Sequence, residues 1–179
     1  MFTLILGPMK SRKSSELLSR MSPYEHTDQK VLYVQPEANV RDIGIRSRMG
    51  IGAAALSLQT LSDVHESFDV IGIDEVHMFH EDDQHVINNW LVEGKNIIAS
   101  GLDLDYRGKM MPIIIRLLEL KPDKLVTNKA VCDSCKKYDA RFTQILESGI
   151  AIHSGLPHVV PEDGTYEYQA RCRGCFVKS

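Results

Sequence analysis

Short apolar runs rich in Val, Ile and Leu mark the first hundred residues, at 2–6, 31–35, 68–73 and 96–101. Stretches with helical spacing of apolar positions lie between or after them, at 13–21, 81–92 and 109–120. Strands that read as continuous apolar runs and alternate with helices predict an α/β fold, a parallel sheet covered on both faces by helices. Ligands of such sheets bind beyond the carboxyl ends of the strands. From about residue 129 the pattern changes to Cys, Gly, Pro and charged residues with no long helix. The change predicts two units: an α/β domain over 1–128 and a smaller lobe over 129–179.

The first apolar run leads straight into Gly7-Pro8-Met9-Lys10-Ser11-Arg12-Lys13-Ser14. This fits the phosphate-binding pattern G-x-x-x-x-G-K-[ST] except at Arg12, which stands at the second glycine. In that pattern the loop's backbone N–H groups cradle phosphates at a helix N-terminus, the lysine reaches the β- and γ-phosphates, and the hydroxyl ligates Mg²⁺. Ser15 to Met21 reads as the required helix. An ordinary strand–turn–helix with a chance Lys-Ser pair is the competing reading of this segment alone.

A second element follows at Phe68 to Glu75, an apolar strand ending in Asp74-Glu75. In phosphate-loop enzymes an Asp at this place holds Mg²⁺ directly or through water. The next carboxylate is placed to take a proton from an attacking hydroxyl. A solvated acidic pair capping the following helix would look the same in isolation.

All four cysteines fall in the last third of the chain, as Cys132-x-x-Cys135 and Cys172-x-x-Cys175. Two such knuckles predict one tetrahedral zinc, structural because four thiolates leave no open position. Neighbouring Lys136, Lys137, Arg171 and Arg173 favour the thiolates. At 179 residues and 43% hydrophobic the chain can bury a core unaided, and a net charge of −3 argues against a nucleic-acid-wrapping surface. No apolar run approaches the roughly 20 residues of a membrane span. The chain opens on a core-like strand rather than a secretory leader, so the expectation is a cytoplasmic protein without membrane or nucleic-acid partners.

Taken together the motifs resemble those of the type II thymidine kinases, a family with bacterial, viral and vertebrate cytosolic members. Gly7-Pro8-Met9 with Lys13 to Leu18 is similar to the family's GPM-x-SGK-[ST]-x-ELL. Ile73-Asp74-Glu75-Val76-His77-Met78-Phe79 resembles its IDE-x-Q-F-F, and Gly101 to Lys109 its GLD-x-D-F-R-G. Ala130-Val131-Cys132 and Tyr168 to Cys175 resemble its zinc lobe. The resemblance covers nearly the whole chain in the family's order.

It implies transfer of the ATP γ-phosphate to the 5′-hydroxyl of thymidine, with deoxyuridine as a second acceptor, in nucleotide salvage for DNA synthesis. By position, Gly7 to Ser14 would bind ATP, Ser14 and Asp74 would hold magnesium, and Glu75 would be the general base. Arg41 resembles an arginine near the phosphates, and His77 stands at a glutamine near metal and nucleotide. Met9, Leu102 and Tyr106 would flank the pyrimidine, and Thr143 would lie close to it. Val159 to Tyr168 would form a lasso over the nucleoside, anchored by the zinc site. The family also implies a homotetramer.

The departures sit in the sites. Arg12 replaces a glycine, and its side chain either crowds the phosphates or swings outward. Asn39 stands at a usual Asp, Met78 at a phenylalanine, and Pro161 removes a donor from a lasso without a glycine-rich centre. The alternative function is therefore a nucleotide- or nucleoside-binding homologue with impaired transfer.

Overall fold

The computed structural model describes residues 1–39, 44–46, 50, 52–160 and 163–177. Arg41 and Pro161 lie outside the described residues. Strand β1 (Phe2–Leu6) runs into helix α1 (Lys13–Met21), followed by β2 (Val31–Pro36). A two-residue hairpin, β3 (Ile45–Arg46) and β4 (Gly52–Ala53), precedes β5 (Leu56–Leu58) and β6 (Val70–Ile73). Then come α2 (Gln84–Val92), β7 (Asn96–Gly101), α3 (Pro112–Glu119) and β8 (Lys124–Thr127). The chain ends in β9 (Ala140–Glu147), β10 (Ile150–Ala151) and β11 (Glu167–Cys172).

The main sheet has six parallel strands in the order β5-β2-β6-β7-β1-β8. Its residues alternate between two apolar layers. Phe2, Leu4, Leu6, Ile71, Ile73, Ile97 and Ala99 pack with Ile87 of α2 and with Ile113, Ile114 and Leu117 of α3. Ile5, Val70 and Ile98 face the other way, onto Leu17, Leu18 and Met21 of α1. Burial on both faces explains why these strands read as unbroken apolar runs. The C-terminal strands form a separate three-stranded antiparallel sheet, β10-β9-β11, beside the four cysteines.

Several expected boundaries move. The helix expected from 109 begins at Pro112, whose fixed φ suits a first helical position. Residues before it belong to a turn in which Leu104 bridges Met110. Residues 81–83 form a 3₁₀ turn ahead of α2, and the strand expected from 68 begins at Val70. Helix α2 closes at Gly94, which takes φ +79° and donates to Leu91 O. Strands β5 and β8 carry no clear sequence signal, being three and four residues with exposed positions. Among the described residues no helix is long and apolar enough to cross a membrane.

Candidate active site

The carboxyl ends of the strands line up, with Leu6 opposite both Gly101 and Thr127. The loop after β1 therefore meets the segments after β7 and β8. Gly7 takes φ +152°, and a Cβ there would stand 2.6 Å from the Asn128 carbonyl oxygen. Only glycine fits. Asn128 pins the loop at both ends: its N–H donates to Leu6 O at 2.7 Å and its Nδ2 to Ser11 O at 3.1 Å.

Two non-glycine residues of this loop sit in the left-handed region, Lys10 at φ 64° and Arg12 at φ 63°. Arg12 caps α1 with its carbonyl, accepting from the Glu16 N–H at 3.0 Å, while its side chain is exposed. The missing glycine serves a backbone angle as well as a close approach.

Lys13 is buried and its Nζ donates to Pro8 O at 2.9 Å. The Ser11 hydroxyl is buried with no hydrogen-bond partner among the described residues. An orphaned hydroxyl and a buried ammonium in one loop at a helix N-terminus suit an anionic ligand.

Asp74, directly after β6, is buried. The Ser100 hydroxyl donates to its Oδ1, and the Ser14 hydroxyl also hydrogen-bonds it. Burial, and then the neighbouring Glu75 charge, push the Asp74 carboxyl above its ordinary value despite these bonds. Ser14 and Asp74 together form an oxygen pair short of positive charge, a fit to a hard cation such as Mg²⁺.

Glu75 adopts φ 49°, starting the 3₁₀ turn Val76–Met78. His77 Nδ1 lies 3.4 Å from Glu75 Oε2 and accepts the Leu102 N–H at 3.2 Å. One nitrogen cannot both accept from Leu102 and donate to Glu75. The Leu102 bond puts the ring proton on Nε2, leaving a neutral imidazole against Glu75.

On the other side, Thr143 Oγ1 of β9 accepts the Met9 N–H at 3.0 Å, a buried bond between the two sheets' connections. Tyr106 is buried, and its hydroxyl donates to Leu156 O at 3.0 Å while accepting the Leu156 N–H at 3.2 Å. Tyr168 OH donates to Val160 O at 3.0 Å, next to half-buried Val159. The segment expected to cover the nucleoside is thus tied at both flanks.

Several contributors carry no motif-level signal. Asn128 follows a strand that the hydrophobic pattern does not reveal. Ser100 is one small polar residue in an apolar run. Asp105, by contrast, is the second acid of the Gly101–Lys109 motif; it is enclosed, receives two side-chain bonds from Arg107 (2.8 and 2.6 Å) and lies 3.1 Å from His158 Nδ1, a third anchor for the covering segment. Asp103 is pushed upward by burial, opposed by backbone N–H groups and the Lys13 charge. A cavity of about 390 Å³ lies against Pro8, Asp103, Leu104 and Phe142.

The sulfurs of Cys132, Cys135, Cys172 and Cys175 all lie within 4.8 Å of one another, with Cys135 and Cys172 at 3.7 Å. Zn–S bonds of about 2.3 Å make a tetrahedron with edges of about 3.8 Å. All four are free thiols. Burial opposes ionisation of Cys132, but backbone N–H groups of 135, 172 and 134 outweigh it and bring the thiol down to about 6. Cys175 is pushed up to about 11, first by its bond with Cys172. A soft dication resolves such uneven thiols by ionising all four.

Comparison with known proteins bears on the whole chain. A family model described as thymidine kinase matches residues 1–176. The chain is 31% identical to a thymidine kinase of Chloroflexus aurantiacus over 97% of its own length and 92% of the relative's. It is 27% identical to a thymidine kinase of Pyrobaculum aerophilum, over 99% and 98% of the two chains. A thymidine kinase of Mycoplasma mobile is 31% identical, with 98% and 86% covered. A match along almost every residue of the chain, and not at the loop alone, places this protein in the thymidine kinase family.

Proposed function

We propose that the protein transfers the γ-phosphoryl group of ATP to the 5′-hydroxyl of thymidine, with deoxyuridine as a second acceptor. One observation carries this reading. The four residues 74–77 receive the phosphate end through Ser14 and Ser100 on Asp74, and the nucleoside end through Leu102 on His77. Glu75 stands between the two.

In this reading residues 1–128 carry ATP and residues 129–179 cover the nucleoside. Lys13 exchanges Pro8 O for phosphate oxygens, and Ser11 gains the partner it lacks. Ser14 and Asp74 would hold Mg²⁺, which when bound neutralises charge on the β- and γ-oxygens. Glu75 removes the 5′-hydroxyl proton as that oxygen attacks the γ-phosphorus and the bond to the bridging β–γ oxygen breaks, releasing ADP. Met9, Leu102 and Tyr106 flank the pyrimidine, with Thr143, Val159 and Tyr168 on the covering side. Cys132, Cys135, Cys172 and Cys175 would hold a structural zinc, and free thiols suit the cytoplasm. The homotetramer rests on family resemblance.

Purified protein with ATP, Mg²⁺ and thymidine should form thymidine monophosphate. Glu75→Gln should lower kcat by about 10²–10⁴ with ATP binding retained. Turnover that survives the change would remove Glu75 from its role. Wild-type protein that binds ATP without turnover would instead indicate a binding homologue.

A further inference from the structure

Two ties hold the loop after β1 to the C-terminal sheet, and both pass through one layer of that sheet. Thr143 of β9 pairs across the ladder with Ala170 of β11. Thr143 accepts the Met9 N–H. Ala170 exchanges two bonds with Asp133: the Asp133 N–H donates to Ala170 O at 2.8 Å, and the Ala170 N–H donates to Asp133 Oδ2 at 2.6 Å. The same Oδ2 accepts from Lys10 Nζ at 2.7 Å.

Asp133 follows Cys132 in the first cysteine pair, and Ala170 lies two residues before Cys172 in the second. The carboxylate therefore joins the two halves of the cysteine cluster and extends one arm to the loop. Lys10 and Arg12 hold left-handed angles there without glycine. Such conformations persist only where the surroundings over-determine them. Asn128 constrains the loop from the main sheet; Thr143 and Asp133 constrain it from the other side.

We infer that Asp133 is a positioning residue for the phosphate-binding loop, acting through Lys10, and that it makes metal occupancy of the cysteine cluster and ATP binding mutually favourable. The inference rests on the reading of this loop as the ATP site and of the cluster as a zinc site. With the metal in place the two cysteine pairs hold a fixed separation, and Asp133 presents its oxygen at the Lys10 ammonium. Without it the two pairs are joined across the cluster only by hydrogen bonds such as the two between Asp133 and Ala170, so their separation, and with it the place of Asp133 at the loop, is less tightly set. By linkage, whatever factor zinc adds to ATP affinity ATP must add to zinc affinity.

The test uses the full chain and two affinities. Calorimetry gives the affinity for Mg·ATP of zinc-loaded and chelator-stripped protein; competition with a chromophoric chelator gives zinc affinity with and without saturating Mg·ATP. In the wild type both measurements should move together, by about fivefold. Asp133→Asn keeps an acceptor for the Ala170 N–H but removes the ion pair, and Lys10→Met removes it from the other side. Each should bring the factor close to one, and the double variant should be no worse than either single. A wild type whose zinc affinity ignores ATP would overturn the inference, as would a Lys10→Met protein that keeps the full factor. Where stripping unfolds the C-terminal strands, the chelator competition alone decides. ATP binding without linkage sinks this inference and leaves the kinase reading intact. No ATP binding in either zinc state sinks both.

Discussion

Arg12 concentrates the loop's departure from its motif in one backbone angle. An L-residue in the left-handed region costs roughly 1–2 kcal/mol, and glycine avoids that cost but loses more freedom on folding. Arg12→Gly should therefore stabilise the protein by a net of about 0.5 kcal/mol, a rise in Tm of about 1–2 °C by calorimetry. Arg12→Ala, which keeps the strain, should give no gain; an equal gain would place the effect in the guanidinium. Asp74 carries the opposite kind of cost. Its folded-state pKa is raised, so the folded protein binds the proton more tightly than the unfolded chain. Stability is therefore lost as pH rises from the ordinary carboxylate range through the raised value. In metal-free buffer Asp74→Asn should melt higher than wild type at pH 8, with the gap narrowing in acid, and with Mg²⁺ restored it should transfer no phosphoryl group. A gap that does not change with pH would mean that the carboxylate is not the source. The residues 7–14 and 74–75 are legible in the sequence because phosphate chemistry allows few alternatives at those spacings. Ser100, Asn128 and Asp133 are not, because each acts only through a partner far away in the chain.

Elements show the same division. Strands β1, β2, β6 and β7 and helix α1 announce themselves because burial on both sheet faces, or one apolar helix face, leaves a periodic trace. Strands β5 and β8 lie at the two edges of the sheet and are too short and too exposed to leave one. The segment around 153–160 has no regular structure among its described residues; side chains of the turn after β7, with Tyr168 of β11, hold it. Tyr106 is the central anchor, serving both backbone groups of Leu156 with one hydroxyl. Tyr106→Phe keeps the ring but leaves those groups to find other partners, at a cost of about 1–2 kcal/mol. The variant should show a thymidine KM raised about three- to tenfold with kcat within about twofold, and faster proteolytic cleavage near Leu156. An unchanged cleavage rate would assign the order of this segment to Asp105, Arg107 and His158 instead.

At the scale of the whole molecule, the resemblance to type II thymidine kinases already implies the order of the motifs, and the strand alternation implies the sheet. Neither reveals that the loop after β1 is gripped from two directions, by Asn128 beyond β8 and by Thr143 and Asp133 of the C-terminal region. Strand order has a further consequence, for synthesis. Strand β1 is made long before its neighbours in the sheet, β7 and β8. A ribosome must deliver residues 96–101 before β1 gains one edge, and 124–127 before it gains the other. Until then an apolar strand waits unpaired, the circumstance in which chains recruit chaperones or aggregate. Asn128 closes the loop only after that. Strand β1 and the loop after it thus complete their structure late although they are made early, and under the proposed function a nucleotide would find no folded cradle during most of the chain's emergence.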